Sequence, residues 1–297
     1  MASLKNYYQK LYSCPIVELS GYASAFQLKG RIFAYLNFDG PTGTGKDALA
    51  EGMLALAVER GDLKKGQTVV EASAGSFATA LTIAGRQSGH PVVLAVPSGI
   101  STQRQKQLED LGARLVFSAS TQGRSALEEL ARKTARECGG YFIDFFSNDD
   151  NPEYHRRVTG PAILNNCPGL DTIVAGVGSG GTITGVGEYV RAWENQIRMV
   201  AVEPYESQAI EGGFPGRHQI PGLGAGFVPE NYNPYVVDRV MAVTSADAAQ
   251  AARQVLRTDA VPASASAGAT LCAARRLVEE GRAGRVLCVF CGRALYE

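Results

Sequence analysis

The chain has 297 residues, 45% hydrophobic and 20% charged, a globular composition long enough for one large domain or two modest ones. Its 29 basic side chains balance 29 acidic ones, so no basic stripe argues for nucleic acid and no polybasic cluster for a membrane surface. The N-terminus has no apolar signal core, and no segment reaches the roughly 18 unbroken apolar residues of a membrane helix. The expected ligand is therefore a small molecule in a pocket, and the expected location is the cytoplasm.

From the N-terminus, the first segment with chemistry in it is Gly40-Pro-Thr-Gly-Thr-Gly-Lys-Asp47, ahead of a helix predicted from Asp47 to about Arg60. A cation at a helix N-terminus opposes the helix dipole, so Lys46 needs a reason to be there. The dipole and burial both favour the neutral amine that imine formation requires. On these residues alone the loop reads equally as a solvated lysine at a turn.

A strand is predicted over 68–71 and a helix over 77–88, joined by Glu71-Ala-Ser-Ala-Gly-Ser-Phe-Ala78, which either offers backbone donors to a carboxylate or is a plain linking turn. Strands over 91–96, 114–117 and 141–144 alternate with helices over 101–111, closed by Gly112, and 124–137. This succession of βαβ units implies a parallel sheet with helices on both faces. The turn cluster Ser147-Asn-Asp-Asp-Asn-Pro152 marks a boundary. Beyond it come strands over 172–175, 199–202 and 240–243, with helices over 182–193, 245–257 and 267–280.

The expected fold is α/β with two lobes, each an open, mostly parallel sheet flanked by helices. Residues 41–147 form the smaller lobe, and 1–40 with 148–297 the larger. Ligands in such sheets sit beyond the carboxyl ends of strands. There Val177-Gly-Ser-Gly-Gly-Thr182 joins a strand to a helix, and its small residues let backbone N–H groups converge on a single phosphate; taken alone it is also compatible with tight packing.

The six cysteines (Cys14, Cys138, Cys167, Cys272, Cys288, Cys291) read as free thiols. Cys288 and Cys291 fall in an apolar run, 285–292, predicted as a buried strand. Positions three apart on a strand face opposite ways, so no metal site is expected. His90, His155 and His218 are scattered and read as structural or surface residues.

Together these loops, in this order, resemble the cysteine synthase and cystathionine β-synthase family of fold-type II enzymes, the tryptophan synthase β superfamily. Cys14-Pro-Ile-Val-Glu-Leu19 is similar to its T-P-L-V-x-L opening, and Pro41–Asp47 to N-P-x-x-S-x-K-D. Gly178–Thr182 resembles its G-T-G-G-T loop, and Ile220-Pro-Gly-Leu-Gly-Ala-Gly-Phe-Val-Pro229 its I-x-G-I-G-A-G-F-I-P. The resemblance implies pyridoxal 5′-phosphate bound as a Schiff base at Lys46, which then serves as general base. Gly178, Ser179, Gly180, Gly181 and Thr182 would grip the phosphate, Ser76 would face the phenolic oxygen, and Ser266 the pyridine nitrogen. Ser73, Ala74, Gly75, Phe77, Phe145 and Gly222 would line the substrate. The implied reaction is β-replacement on an O-activated serine through an α-aminoacrylate, with sulfide or another small nucleophile adding, in a homodimer whose smaller lobe closes over a small amino acid.

Several positions depart from the family pattern. Its T-S-G-N-T-G loop reads Ser73-Ala-Gly-Ser-Phe-Ala78 here, so Ser76 replaces an asparagine and Phe77 a threonine. Phe145 replaces a glutamine, Gly40 an asparagine, and the carboxyl end Phe290–Tyr296 lacks D-S-G-E-R-Y. A buried carboxylate that goes without one of its polar partners is destabilised by about 1–3 kcal/mol. Three outcomes stay open: the replacement reaction, a β-eliminating lyase of the cysteine desulfhydrase or serine dehydratase type, and a catalytically weak scaffold.

Overall fold

The computed structural model describes residues 14–119 and 123–294. The chain divides into two units. One takes the segment up to Asp39, Gly43–Gly45 and everything from Asn151 onward; the other takes Gly40–Thr42 and Lys46–Asp150. Gly43–Gly45 belongs with the first because Gly45 N–H donates to the Cys291 carbonyl at 3.0 Å and Arg293 N–H to the Gly43 carbonyl at 3.0 Å.

In the first unit β1 (Ile16–Glu18), α1 (Ser20–Ala25) and β2 (Arg31–Leu36) lead the chain. The second unit then runs α2 (Lys46–Arg60), β3 (Val69–Ala72), α3 (Ser76–Ser88), β4 (Val92–Pro97), α4 (Thr102–Asp110), β5 (Arg114–Ser118), α5 (Gly123–Cys138) and β6 (Tyr141–Phe142). Its four strands pair in the order β5-β4-β3-β6, all parallel. β3 and β4 are valine- and alanine-rich and almost wholly buried, as strands covered on both faces must be. Val70, Val93 and Ala95 of this sheet meet Ala131 and Ala135 of α5.

β6 is shorter than the 141–144 expected. Asp144 is left-handed (φ 52°), and its carbonyl accepts from the backbone N–H groups of Ser147 and Asn148 at 3.0 and 2.9 Å. Turn chemistry therefore takes over before the strand can lengthen.

The chain returns to the first unit through α6 (Asp150–Tyr154), a π-helical turn (His155–Thr159) and α7 (Gly160–Asn166). None of this helical run is expected from sequence, which reads Ser147–Pro152 as a turn cluster; Pro161 lies in the first turn of α7, directly after the π-helical turn. There follow β7 (Thr172–Gly176), α8 (Gly181–Trp193), β8 (Arg198–Pro204), β9 (Arg239–Val243), α9 (Ser245–Asp259), α10 (Ala265–Glu279) and β10 (Arg285–Phe290). The sheet order is β1-β2-β10-β7-β8-β9, parallel except where β1 runs against β2. The expected two-sheet α/β architecture is thus present.

One face of this sheet packs on α1, α9 and α10 through Leu19, Tyr22, Val255 and Leu271; the other packs on α7 and α8 through Ile163, Ile183 and Val190. α9 and α10 approach closely because Gly268 has no side chain: a Cβ there would lie 2.0 Å from the Ala248 carbonyl oxygen. Cys288 is buried within β10, Cys291 lies beyond its end, and all six cysteines are free. Among the described residues no helix is long and apolar enough to cross a membrane.

Candidate active site

In the first unit the glycine loop follows β7 as expected. Gly180, left-handed at φ 84°, is the N-cap of α8, and no side chain caps the helix. The first-turn N–H groups are therefore left for another acceptor, at the positive end of the helix dipole. Neighbouring atoms dictate the small residues here. A Cβ on Gly178 would lie 2.2 Å from the Gly222 carbonyl oxygen, and one on Gly181 would lie 1.8 Å from Asn151 Oδ1. Gly222 is itself left-handed at φ 91°, which brings its carbonyl against the loop.

Side chains behind the loop hold its hydroxyls. Asn151 Nδ2 donates to Ser179 Oγ at 2.9 Å. His155 Nε2 lies 3.0 Å from Thr182 Oγ1, and its Nδ1 lies 2.8 Å from Thr159 Oγ1. His155 is buried; far from lying at the surface, it touches the loop directly. Its spacing in the sequence gives no sign of this, because the contact spans 27 residues. In the same unit Ser264 caps α10 by accepting from Ala267 N–H, and its Oγ sits 2.9 Å from Ser266 Oγ. Ser266 is half-buried.

In the second unit Lys46 is the first residue of α2 and is half-buried. Its Nζ lies 5.3 Å from the centroid of the Phe145 ring. The Asp47 carboxylate folds back to accept from Thr42 N–H at 3.0 Å and Thr42 Oγ1 at 2.7 Å. That carboxylate explains Gly40, where a Cβ would meet Asp47 Oδ2 at 2.3 Å.

Phe77 and Phe145, 3% and 5% exposed, stack with centroids 4.0 Å apart and planes 22° apart. The contact is a hydrophobic and quadrupolar one, and neither ring can donate a hydrogen bond. Glu71 is buried near the end of β3, with Phe145 N–H donating to its Oε2 at 3.2 Å. Burial in this apolar surrounding pushes its carboxyl up to about 8.

The loop 73–75 leads into α3, whose first residue is Ser76. Ser73 and Ala74 are half-buried, Gly75 and Ser76 exposed, and Gly75 is an N-cap without a side-chain bond. Sequence reasoning misses Arg104, on α4. Its Nε donates to the Ala74 carbonyl at 2.8 Å, and its Nη2 donates to the Gly75 carbonyl and Thr79 Oγ1, each at 2.7 Å. Lys46, Ser73–Phe77 and Phe145 thus belong to one unit, and Gly178–Thr182, Gly222 and Ser266 to the other.

The family described as pyridoxal-phosphate dependent enzyme matches residues 9–292. Cysteine synthase from Staphylococcus aureus is 32% identical over 258 residues, 86% of this chain and 83% of the relative. Cysteine synthase A from Escherichia coli is 36% identical over 262 residues, 84% and 81% of the two chains. Among solved structures, a cysteine synthase from Entamoeba histolytica superposes with a TM-score of 0.87 at 31% identity, covering 95% of this chain and 85% of that one. An O-ureido-L-serine synthase does so with a TM-score of 0.86 at 28% identity, covering 97% and 91%. The glycine loop, the lysine at the head of α2 and two largely parallel sheets all agree with these likenesses: the chain belongs to the pyridoxal-phosphate dependent enzyme family, of the cysteine synthase type, and its cofactor is pyridoxal 5′-phosphate.

Proposed function

We propose that the chain catalyses β-replacement on an O-activated serine, with sulfide or another small nucleophile adding at Cβ. The observation that carries this is the uncapped N-terminus of α8, where Gly178 and Gly181 admit no Cβ. Residues kept this small leave backbone N–H groups open to an anion the size of one phosphate, so the donor set fits the cofactor's phosphate. The neutral hydroxyl of Ser266 suits a ring nitrogen that is to stay largely unprotonated, and the primary amine of Lys46 is the group that can hold an aldehyde covalently.

When bound, pyridoxal 5′-phosphate supplies an electron sink for negative charge at the substrate Cα. Lys46 would hold the cofactor through its primary amine, and that amine would supply the base for the Cα proton. Backbone N–H groups of Ser179, Gly180 and Gly181, with the Thr182 hydroxyl, would hold the cofactor's phosphate. Ser73 would offer its hydroxyl to the amino-acid end and Ser76 to the cofactor's phenolic oxygen. A solved relative named O-acetyl serine sulfhydrylase, from Entamoeba histolytica and 30% identical, supports the choice of leaving group. We assign the protein to the cytoplasm as a homodimer, in which the 41–147 lobe moves as substrate binds.

The purified protein should show a visible imine absorbance that Lys46→Ala abolishes. Incubated with O-acetylserine and sulfide it should form cysteine. Pyruvate without cysteine would replace this reading by β-elimination, and an imine band that no amino acid alters would reduce the chain to a scaffold. Light scattering reads the dimer.

A further inference from the structure

We propose that Arg104 is the positioning residue for substrate-carboxylate recognition, holding the 73–76 loop so that backbone N–H groups do the work that side chains 77 and 145 cannot. This rests on the amino-acid reading of that loop given above.

The geometry is set by planar peptides. A trans peptide directs its C=O and N–H to opposite sides. Arg104 takes the Ala74 carbonyl on Nε at 2.8 Å and the Gly75 carbonyl on Nη2 at 2.7 Å. The N–H groups of the same two peptides, those of Gly75 and Ser76, are thereby turned away from the guanidinium, and both residues are exposed. Thr79 Oγ1 accepts a third bond at 2.7 Å, which ties the first turn of α3 to the same group. Gln107 Oε1 takes Nη1 at 2.6 Å, so the guanidinium is braced from its own helix as well. An arginine suits this place because its planar fork binds several acceptors at once; an ammonium is a point charge and holds no fixed plane.

The aromatic pair makes the brace necessary. With Phe77 and Phe145 stacked on each other, positions 77 and 145 present hydrocarbon to whatever sits on the loop. Donors left to a carboxylate include the Gly75 and Ser76 N–H groups and the Ser73 hydroxyl. Backbone donors are only as good as their orientation, and here Arg104 sets it from a separate helix.

The test titrates L-serine and L-serinamide into holoenzyme and follows the shift of the imine absorbance. Wild type should favour the acid. Arg104→Ala should weaken serine at least tenfold, the loss of about one backbone hydrogen bond to a carboxylate, while serinamide changes less than threefold (roughly the scatter of one such bond). Arg104→Lys should fall between, and added guanidinium should restore part of the loss in Arg104→Ala. In turnover the loss should appear in KM more than in kcat. Phe77→Thr/Phe145→Gln, which supplies side-chain donors, should make serine binding insensitive to Arg104→Ala. Equal weakening of acid and amide would reduce Arg104 to a structural residue and overturn the proposal, as would an unchanged acid. A wild type with no imine band, by contrast, would remove the functional reading itself.

Discussion

Glutamine in place of Glu71 isolates the cost of burying a carboxyl beside the Phe145 backbone. Glu71 is 2% exposed, and burial lifts it from 4.5 to about 8. The native state therefore keeps a proton that the unfolded chain gives up once the pH passes the ordinary carboxylate range. Stability from this group is fully present below 4.5 and is lost as pH rises through about 8. At 1.36 kcal/mol per pH unit the whole interval is worth about 5 kcal/mol, of which about 3 is already gone at neutral pH. Glutamine copies the protonated acid in shape and cannot titrate. In urea denaturation at pH values spaced from about 5 to about 8, the Glu71→Gln variant should gain on wild type by about 1.4 kcal/mol per pH unit. Comparing variant with wild type cancels every other titrating group. Parallel stability curves for the two proteins would show that Glu71 is ionised in the folded state and would refute the reasoning.

Three further outcomes can be checked alongside. Gly181→Ala, whose Cβ would fall 1.8 Å from Asn151 Oδ1, should lower cofactor affinity at least tenfold (about 1.4 kcal/mol), read by titrating pyridoxal 5′-phosphate into apoprotein. Arg60 and Asp150 form an ion pair in which the arginine is 45% exposed and the aspartate 1%. Arg60→Ala should therefore cost about 1–3 kcal/mol by removing the partner of a buried carboxylate, and Asp150→Asn clearly less, as measured by urea midpoints. Gly268→Ala must force α9 and α10 apart, because the obstacle is the backbone oxygen of Ala248 at 2.0 Å; thermal unfolding should register a loss of about 1–3 kcal/mol.

Local physics made much of the molecule readable from sequence. Alternating apolar runs and helical periods announced the parallel sheets, because strands covered on both faces must be continuously apolar. The loops Gly40–Asp47 and Gly178–Thr182 announced themselves because glycine spacing is what a tight strand-to-helix turn requires. Their chemistry was legible as a set in order, whereas each loop taken singly left a bland alternative standing. The helical run over 150–166 was hidden by the Ser147–Pro152 turn cluster, whose proline in fact lies within the first turn of α6.

Interactions across long stretches of chain belonged to the tertiary structure alone. Whether Phe77 and Phe145 faced solvent or each other depended on the fold bringing together two positions 68 residues apart in sequence. Arg104 reaches carbonyls 29 and 30 residues upstream, and His155 reaches Thr182 across 27. A sequence carries periodicity and turn chemistry because both act within a few residues. It carries no sign of which distant carbonyl a guanidinium will meet, since the packing of whole helices on whole sheets decides that.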